Sequence, residues 1–183
     1  MSQNLTKNDL DAKYRDKVYT QSYEPKRIID GVKLIQLKNF LADEGDFGEV
    51  MRFTNGELEG IPGFKIAQIN RTRLSHGSVK AWHLHFKQDE IWYVLPSSQL
   101  LVGLWDVREK SSTKSTTMRL VLGGGQSTLL FIPKGVAHGS ANLSGKDVEM
   151  FYFVDNKFDP KAPDENRIPY DALGKEFWMP ERD

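Results

Sequence analysis

The chain has 183 residues, enough for one domain with a substantial core, and is 39% hydrophobic and 27% charged, a globular composition and not a disordered one. Lysine plus arginine equals aspartate plus glutamate at 25 each, so charge gives no reason to expect nucleic acid or an acidic membrane as partner. Cysteine is absent, which excludes disulfides and thiolate chemistry and leaves a metal only His, Asp or Glu to bind.

The first residues, MSQNLTKNDLDAKYRDK, are polar and of mixed charge, and lack the apolar core of a secretory signal. No run approaches the roughly 18 apolar residues that a membrane helix needs. A cytoplasmic protein with neither nucleic acid nor membrane as partner is the expectation. Residues 1–27 read as an N-terminal arm, and 28–183 as one barrel. The expected strands in order are Ile28–Leu37, Glu49–Phe53, Phe64–Asn70, Val79–Phe86, Glu90–Leu95, Leu100–Val107, Thr116–Leu122, Thr128–Ile132 and Val148–Val154. They are rich in β-branched and aromatic residues. Turn signals part them, among them Asn55-Gly56, Pro62-Gly63, Gly123-Gly124-Gly125 and Pro133-Lys134-Gly135. Many short strands with this punctuation predict an all-β double-sheet jelly roll or barrel. The tail from Asp155 holds four of the eight prolines and is expected to wrap the barrel, ending near Trp178.

The sequence has four histidines: His76, His83, His85 and His138. His83 and His85 share a strand and, by its two-residue period, a face. Ala81 is expected on that face, with Trp82, Leu84 and Phe86 on the other, packed between the sheets or against a partner. His76 lies beside a turn glycine and reads as a surface residue.

Gly77 to Glu90 reads G-x5-H-x-H-x4-E, and Pro133 to Asn142 reads P-x-G-x2-H-x3-N. These runs resemble the two motifs of the cupin superfamily, with Ser97 and Ser127 where glycines would close the first and open the second. The resemblance implies a cupin-type double-stranded β-helix. In metal-binding cupins the matching positions are ligands, which here implies His83, His85, Glu90 and His138 around a divalent transition metal. Imidazole and carboxylate suit Mn, Fe, Co, Ni or Zn alike.

A narrower likeness runs over residues 28–178. Asp43-Glu44-Gly45-Asp46-Phe47 with Glu49, Gln68-Ile69-Asn70, Lys80-Ala81-Trp82-His83, Asp106-Val107-Arg108, Ile132–Gly139 and Asp171 with Trp178 resemble segments of the dTDP-4-dehydrorhamnose 3,5-epimerase family. That resemblance implies a keto-sugar substrate, nucleotide-linked, and proton abstraction α to the carbonyl. It implies His83 as base, Asp171 as its orienting carboxylate and Tyr152 acting from the opposite sugar face. Glu49, Gln68, Asn70, Lys80 and His138 become substrate-binding residues, and a homodimer is expected. A histidine can take such a proton once the enolate is stabilised.

The sequence departs from this family at several points. Lys80 stands for an arginine, His85 for a glutamine, Glu90 for a lysine and Phe158 for a second tyrosine. His85 and Glu90 together complete the metal-ligand set, so the two resemblances compete for His83. Three readings follow. The first is a keto-sugar epimerase built on His83, Tyr152 and Asp171. The second is a metal-dependent cupin enzyme, an isomerase or oxygenase, built on His83, His85, Glu90 and His138. The third is a non-catalytic cupin that binds a small molecule.

Overall fold

The computed structural model describes residues 4–181. Ahead of the first strand lie a 3₁₀ turn at Lys7–Asp9 and one helical turn at Ala12–Arg15, neither with a buried side chain. The strands follow as β1 (Lys33–Gln36), β2 (Asn39–Ala42), β3 (Gly45–Gly48), β4 (Phe53–Thr54), β5 (Glu57–Leu58), β6 (Gln68–Leu74) and β7 (Val79–Leu84). After them come β8 (Glu90–Val94), β9 (Gln99–Asp106), β10 (Thr117–Gly123), β11 (Thr128–Ile132), β12 (Val136–Ala141), β13 (Val148–Val154) and β14 (Asn166–Arg167). No helix among the described residues is long and apolar enough to cross a membrane.

Two five-stranded antiparallel sheets face each other, one in the order β1-β11-β8-β13-β6 and the other β10-β9-β12-β7-β14. This is the expected all-β jelly roll. Neighbours in each sheet come from distant parts of the chain, so a residue near 85 and one near 138 meet without a local motif. Leu74, Val94, Val102, Leu104, Leu122, Leu130 and Val148 fill the space between the sheets. Side chains alternate faces along each strand. Along β6 the facing positions therefore run from buried Leu74 through Thr72 to Asn70 and Gln68, and along β13 from Val148 through Met150 to Tyr152. The core thus turns polar toward one end, and there the cavity opens.

Each sheet also has a covered outer face. Residues 50–66 lie over the first, packing Leu58, Ile61 and Phe64 on Ile91, Tyr93, Leu129 and Phe131. The C-terminal tail lies over the second and seats Trp178 against Trp82, their rings 4.8 Å apart. Gly103 makes this possible, because a Cβ there would stand 2.7 Å from the Trp178 ring. Trp82 and Leu84 are therefore under the tail and not between the sheets, while Phe86 is exposed.

Expected strands Thr128–Ile132 and Val148–Val154 coincide with β11 and β13. Glu49–Phe53 does not form as a strand. In its place the chain makes the β2–β3 hairpin and the short β4–β5 pair. β12 was not expected, because Val-Ala-His-Gly-Ser-Ala carries one β-branched residue and a glycine.

Candidate active site

The cavity between the sheets has a volume of about 350 Å³. β7 brings His83 and Lys80 to it, β12 His138 and Ser140, β8 Glu90 and Trp92, and β13 Tyr152. A second opening of about 330 Å³ shares His85, Glu90, Tyr152 and Glu165 with it and continues past Gln68, Asn70 and Phe158.

His83 pairs across the sheet with His138, and between His138 and Ser140 the register slips. The slip brings Lys80 opposite Ser140. That explains why Lys80 lines the cavity, while Ala81, expected there from strict alternation, packs with Trp82 and Trp178 instead. Gly139 permits the approach, since a Cβ there would lie 2.4 Å from the Ala81 Cβ.

The protonation of His83 follows from its partners. Arg167 can only donate, and its guanidinium NH1 lies 2.9 Å from His83 Nε2. Nε2 therefore carries a lone pair, and Nδ1 carries the proton and donates it to Glu165 Oε1 at 2.7 Å. β14 makes this arrangement by pairing Arg167 with His83 on the edge of the second sheet. Burial works against the charge of Glu165, but the hydrogen bond from His83 and the neighbouring positive charge of Arg167 outweigh it, and its carboxyl sits below the usual range.

A buried cluster lies beside it. His85 donates its Nδ1 proton to the Asp164 carbonyl, and His138 donates its own to the Val136 carbonyl at 3.0 Å. Both rings turn Nε2 to Glu90, at 3.1 Å from His85 and 3.5 Å from His138. Trp92 Nε1 and Gln88 Nε2 donate to the Glu90 carboxylate at 2.6 and 2.7 Å and fix its plane. Burial opposes a charged His85, but its hydrogen bond to Glu90 and the charge of that carboxylate outweigh it and raise the imidazole to about 9. Burial would push Glu90 up, yet the neighbouring His138 and His85 bring it down to about 2. His138 is lowered to about 4 by burial, against the attraction of Glu90. Tyr152 is raised by burial and by the charges of Glu90 and Glu165, so it stays a phenol near neutral pH.

The structure brings His83, Lys80, His85, Glu90, His138 and Tyr152 to one cavity, and Gln68 and Asn70 to its second opening. Gln68 Nε2 donates to Asn70 Oδ1 at 2.7 Å, and Lys80 Nζ donates to Thr72 Oγ1 at 2.8 Å. Two expected residues are elsewhere. Glu49 pairs with Arg52 at 2.8 Å on the segment over the outer face of the first sheet, which keeps it out of the cavity. Asp171 is exposed and lies in the turn that Gly174 N closes on the Asp171 carbonyl, so Glu165 and not Asp171 meets His83. His83 is also not among the convergent metal-ligating groups, which are His85, Glu90 and His138. Its two nitrogens are taken by Glu165 and Arg167. Glu165 and Arg167 carried no sequence signal, because Asp-Glu-Asn-Arg is an ordinary polar loop composition. Only the strand pairing at 166–167 gives them a place.

A model of the dTDP-4-dehydrorhamnose 3,5-epimerase family matches residues 26–177. The chain is similar to the spore coat polysaccharide biosynthesis protein SpsL of Bacillus subtilis (strain 168), 38% identical over 144 residues, 79% of this chain and 91% of the relative. Among solved structures it is similar to the dTDP-4-dehydrorhamnose 3,5-epimerase of Sulfolobus tokodaii, with a TM-score of 0.65, 29% identity and coverage of 79% and 81% of the two chains. It is also similar to the Legionella pneumophila (Philadelphia 1) dTDP-6-deoxy-D-glucose-3,5-epimerase RmlC, solved with dTDP-4-keto-L-rhamnose, at TM-score 0.66, 27% identity and coverage of 79% and 76%. A polar cavity holding an oriented histidine, in a jelly roll matched by that family over most of its length, places the chain: it belongs to the dTDP-4-dehydrorhamnose 3,5-epimerase family, and it is an enzyme of epimerase type.

Proposed function

We propose that this chain epimerises a nucleotide-linked keto-sugar by removing and returning a proton on the carbon next to the carbonyl, with His83 as the base. The observation that carries this reading is the tautomer of His83. Its Nε2 lone pair accepts from Arg167 while Nδ1–H is held by Glu165. Glu165 is the positioning residue: it fixes ring and tautomer and stabilises the imidazolium that forms on proton uptake. Arg167 occupies the lone pair that must take the substrate proton. An anionic diphosphate attracts a guanidinium by paired hydrogen bonds, so substrate arrival draws Arg167 off the base. Lys80, on the same cavity wall, adds a second positive charge for the phosphates.

Tyr152 stands on the opposite sheet, and its phenol returns a proton to the other face of the carbon, which inverts the centre. Gln68 and Asn70, already bonded to each other, offer amide groups to sugar hydroxyls in the second opening. The relative solved with dTDP-4-keto-L-rhamnose supports a keto-sugar nucleotide as the ligand class. Exposed Phe40, Leu41 and Phe47 on the β2–β3 hairpin support assembly as a homodimer.

The test is solvent exchange. In deuterium oxide the protein should place deuterium on carbons flanking the 4-keto group of a dTDP-linked 4-keto-6-deoxyhexose, read by mass spectrometry. His83→Asn should lower that exchange by about 100-fold or more. Exchange by His83→Asn at the wild-type rate would overturn the assignment of the base.

A further inference from the structure

Four residues in a row, Asp164 to Arg167, carry two kinds of side chain in alternation. Glu165 and Arg167 line the cavity and hold the two ring nitrogens of His83. Asp164 and Asn166 are half-buried and bond to β7 and the turn that follows it. Asn166 Nδ2 donates to the Leu84 carbonyl at 3.1 Å. Asp164 bonds more widely. Its carboxylate accepts from three consecutive backbone N–H groups, those of Phe86 at 2.9 Å, Lys87 at 2.7 Å and Gln88 at 3.2 Å. Its carbonyl accepts from His85 Nδ1. One residue therefore gathers the whole turn from 85 to 88.

Successive N–H groups that point one way make a concave anion site, and a charged acceptor bonds about twice as strongly as a neutral one. Here the anion comes from the chain itself. Little else fixes the stretch ahead of Glu165. Pro160 and Pro163 have no N–H to give a strand, and among the described residues no strand lies between Val154 and Asn166. On the far side β14 has only two residues, continued by the mutual backbone bonds of Ile168 and Trp82. Glu165 sits between those bonds and Asp164. The turn has no other hold from side-chain packing at Phe86 or Lys87, since both are exposed.

We propose that Asp164 is a positioning residue for the reaction: by locking residues 164–167 to the turn at 86–88, it keeps Glu165 on His83 Nδ1 and so sets the tautomer that leaves Nε2 bare. The consequence for catalysis rests on the proposed role of His83 as base; the placing of Glu165 does not. Asp164 bonds to the turn and not to His83, so its effect on the base passes through Glu165.

The test uses the full chain as wild type, Asp164→Ala, Asp164→Asn, Glu165→Ala and the double variant Asp164→Ala with Glu165→Ala. Turnover of a dTDP-linked 4-keto-6-deoxyhexose gives kcat. Nitrogen-15 spectra of histidine-labelled protein show which nitrogen of the neutral His83 ring carries the proton. Wild type should show one form, protonated at Nδ1. Asp164→Ala should lower kcat by about 10-fold and mix the two tautomers, and Asp164→Asn, which keeps one acceptor oxygen, should recover part of both. In the Glu165→Ala background the Asp164→Ala change should cost less than about twofold in kcat. A merely structural role would add to the loss of Glu165 and would not vanish with it. A wild-type kcat and tautomer in Asp164→Ala, or full additivity of the two losses, would overturn the proposal. Should Asp164→Ala fail to fold, Asp164→Asn carries the same comparison. The tautomer is read without substrate, so a wild type that turns nothing over sinks the epimerase reading alone, and an unmoved tautomer in an active Asp164→Ala sinks the anchor alone.

Discussion

Glu165 carries the sharpest prediction about a single side chain. Its oxygen holds His83 Nδ1 at 2.7 Å, and the same oxygen lies 2.8 Å from Arg167 Nε. Glu165→Gln keeps the size and removes the charge that stabilises an imidazolium. The expected result is a kcat lower by about 10- to 100-fold with KM and melting temperature little changed, measured by steady-state kinetics and calorimetry. Asp171→Asn should leave kcat within about twofold, because Asp171 is exposed and lies in a turn away from the base. Equal losses in both variants would return the orienting role to Asp171. The sequence made His83, His85, Glu90 and His138 legible because they sit at fixed spacings in or beside strands. It hid Glu165, whose only mark is its proximity to a histidine 82 positions earlier. A hydrogen bond across that separation is a property of the sheet and leaves no local pattern.

At the level of the strands, the slip between β7 and β12 decides which side chains line the cavity. Simple alternation put Ala81 in the cavity; the slip puts Lys80 there. Alternation is legible in a sequence, but an irregularity in pairing depends on the partner strand, and β12 itself lacked the residues that announce a strand. Gly139 is where this can be tested. Its Cβ would lie 2.4 Å from the Ala81 Cβ and 2.9 Å from the Lys80 carbonyl oxygen. Gly139→Ala must therefore push β7 away and carry His83 with it. We expect a folded protein, destabilised by about 1–3 kcal/mol in urea, with kcat down by about 100-fold from misplacement of the base. Wild-type turnover in this variant would show that the approach of β7 to β12 does not set the site.

The whole molecule depends on contacts that fasten its ends to the barrel. Asp106, fully buried at the end of β9, accepts from Arg108, Ser111 and Thr113, and Arg108 in turn donates to the Asp30 carbonyl at 2.6 Å. Burial alone would raise its carboxyl, but the hydrogen bonds of Arg108, Ser111 and Thr113 prevail and hold it well below its ordinary value of 3.8. A carboxyl depressed in the folded state adds stability in full above its unfolded value, and that stability is lost as pH falls toward the folded one. Wild type should therefore exceed Asp106→Asn by about 3 kcal/mol in urea denaturation from pH 7 to 5, with the gap narrowing below about pH 4. A gap that stays constant down to pH 2 would refute the assignment. At the other end, Trp178 is 2% exposed against Trp82 and Phe177. Trp178→Ala should cost about 3–5 kcal/mol and lower the melting temperature by about 10 °C. The tail's wrapping was legible from its prolines, but the need for Gly103 beneath the indole was not, because a glycine that makes room looks in sequence like one that makes a turn.

That fastening has a consequence for how the protein comes into being. The chain emerges from the ribosome with its amino end first, so His83 is made long before Glu165, 82 positions later. The sheet that presents His83 can pair β7 with β12 once residue 141 is out, but Glu165 and Arg167 reach His83 only after β14 has followed and paired with β7. A nascent or truncated chain ending before Asp164 would carry the histidine without the group that sets its tautomer. A chain cut at that point should therefore lack the solvent exchange expected of the full chain, even where β7 and β12 have paired.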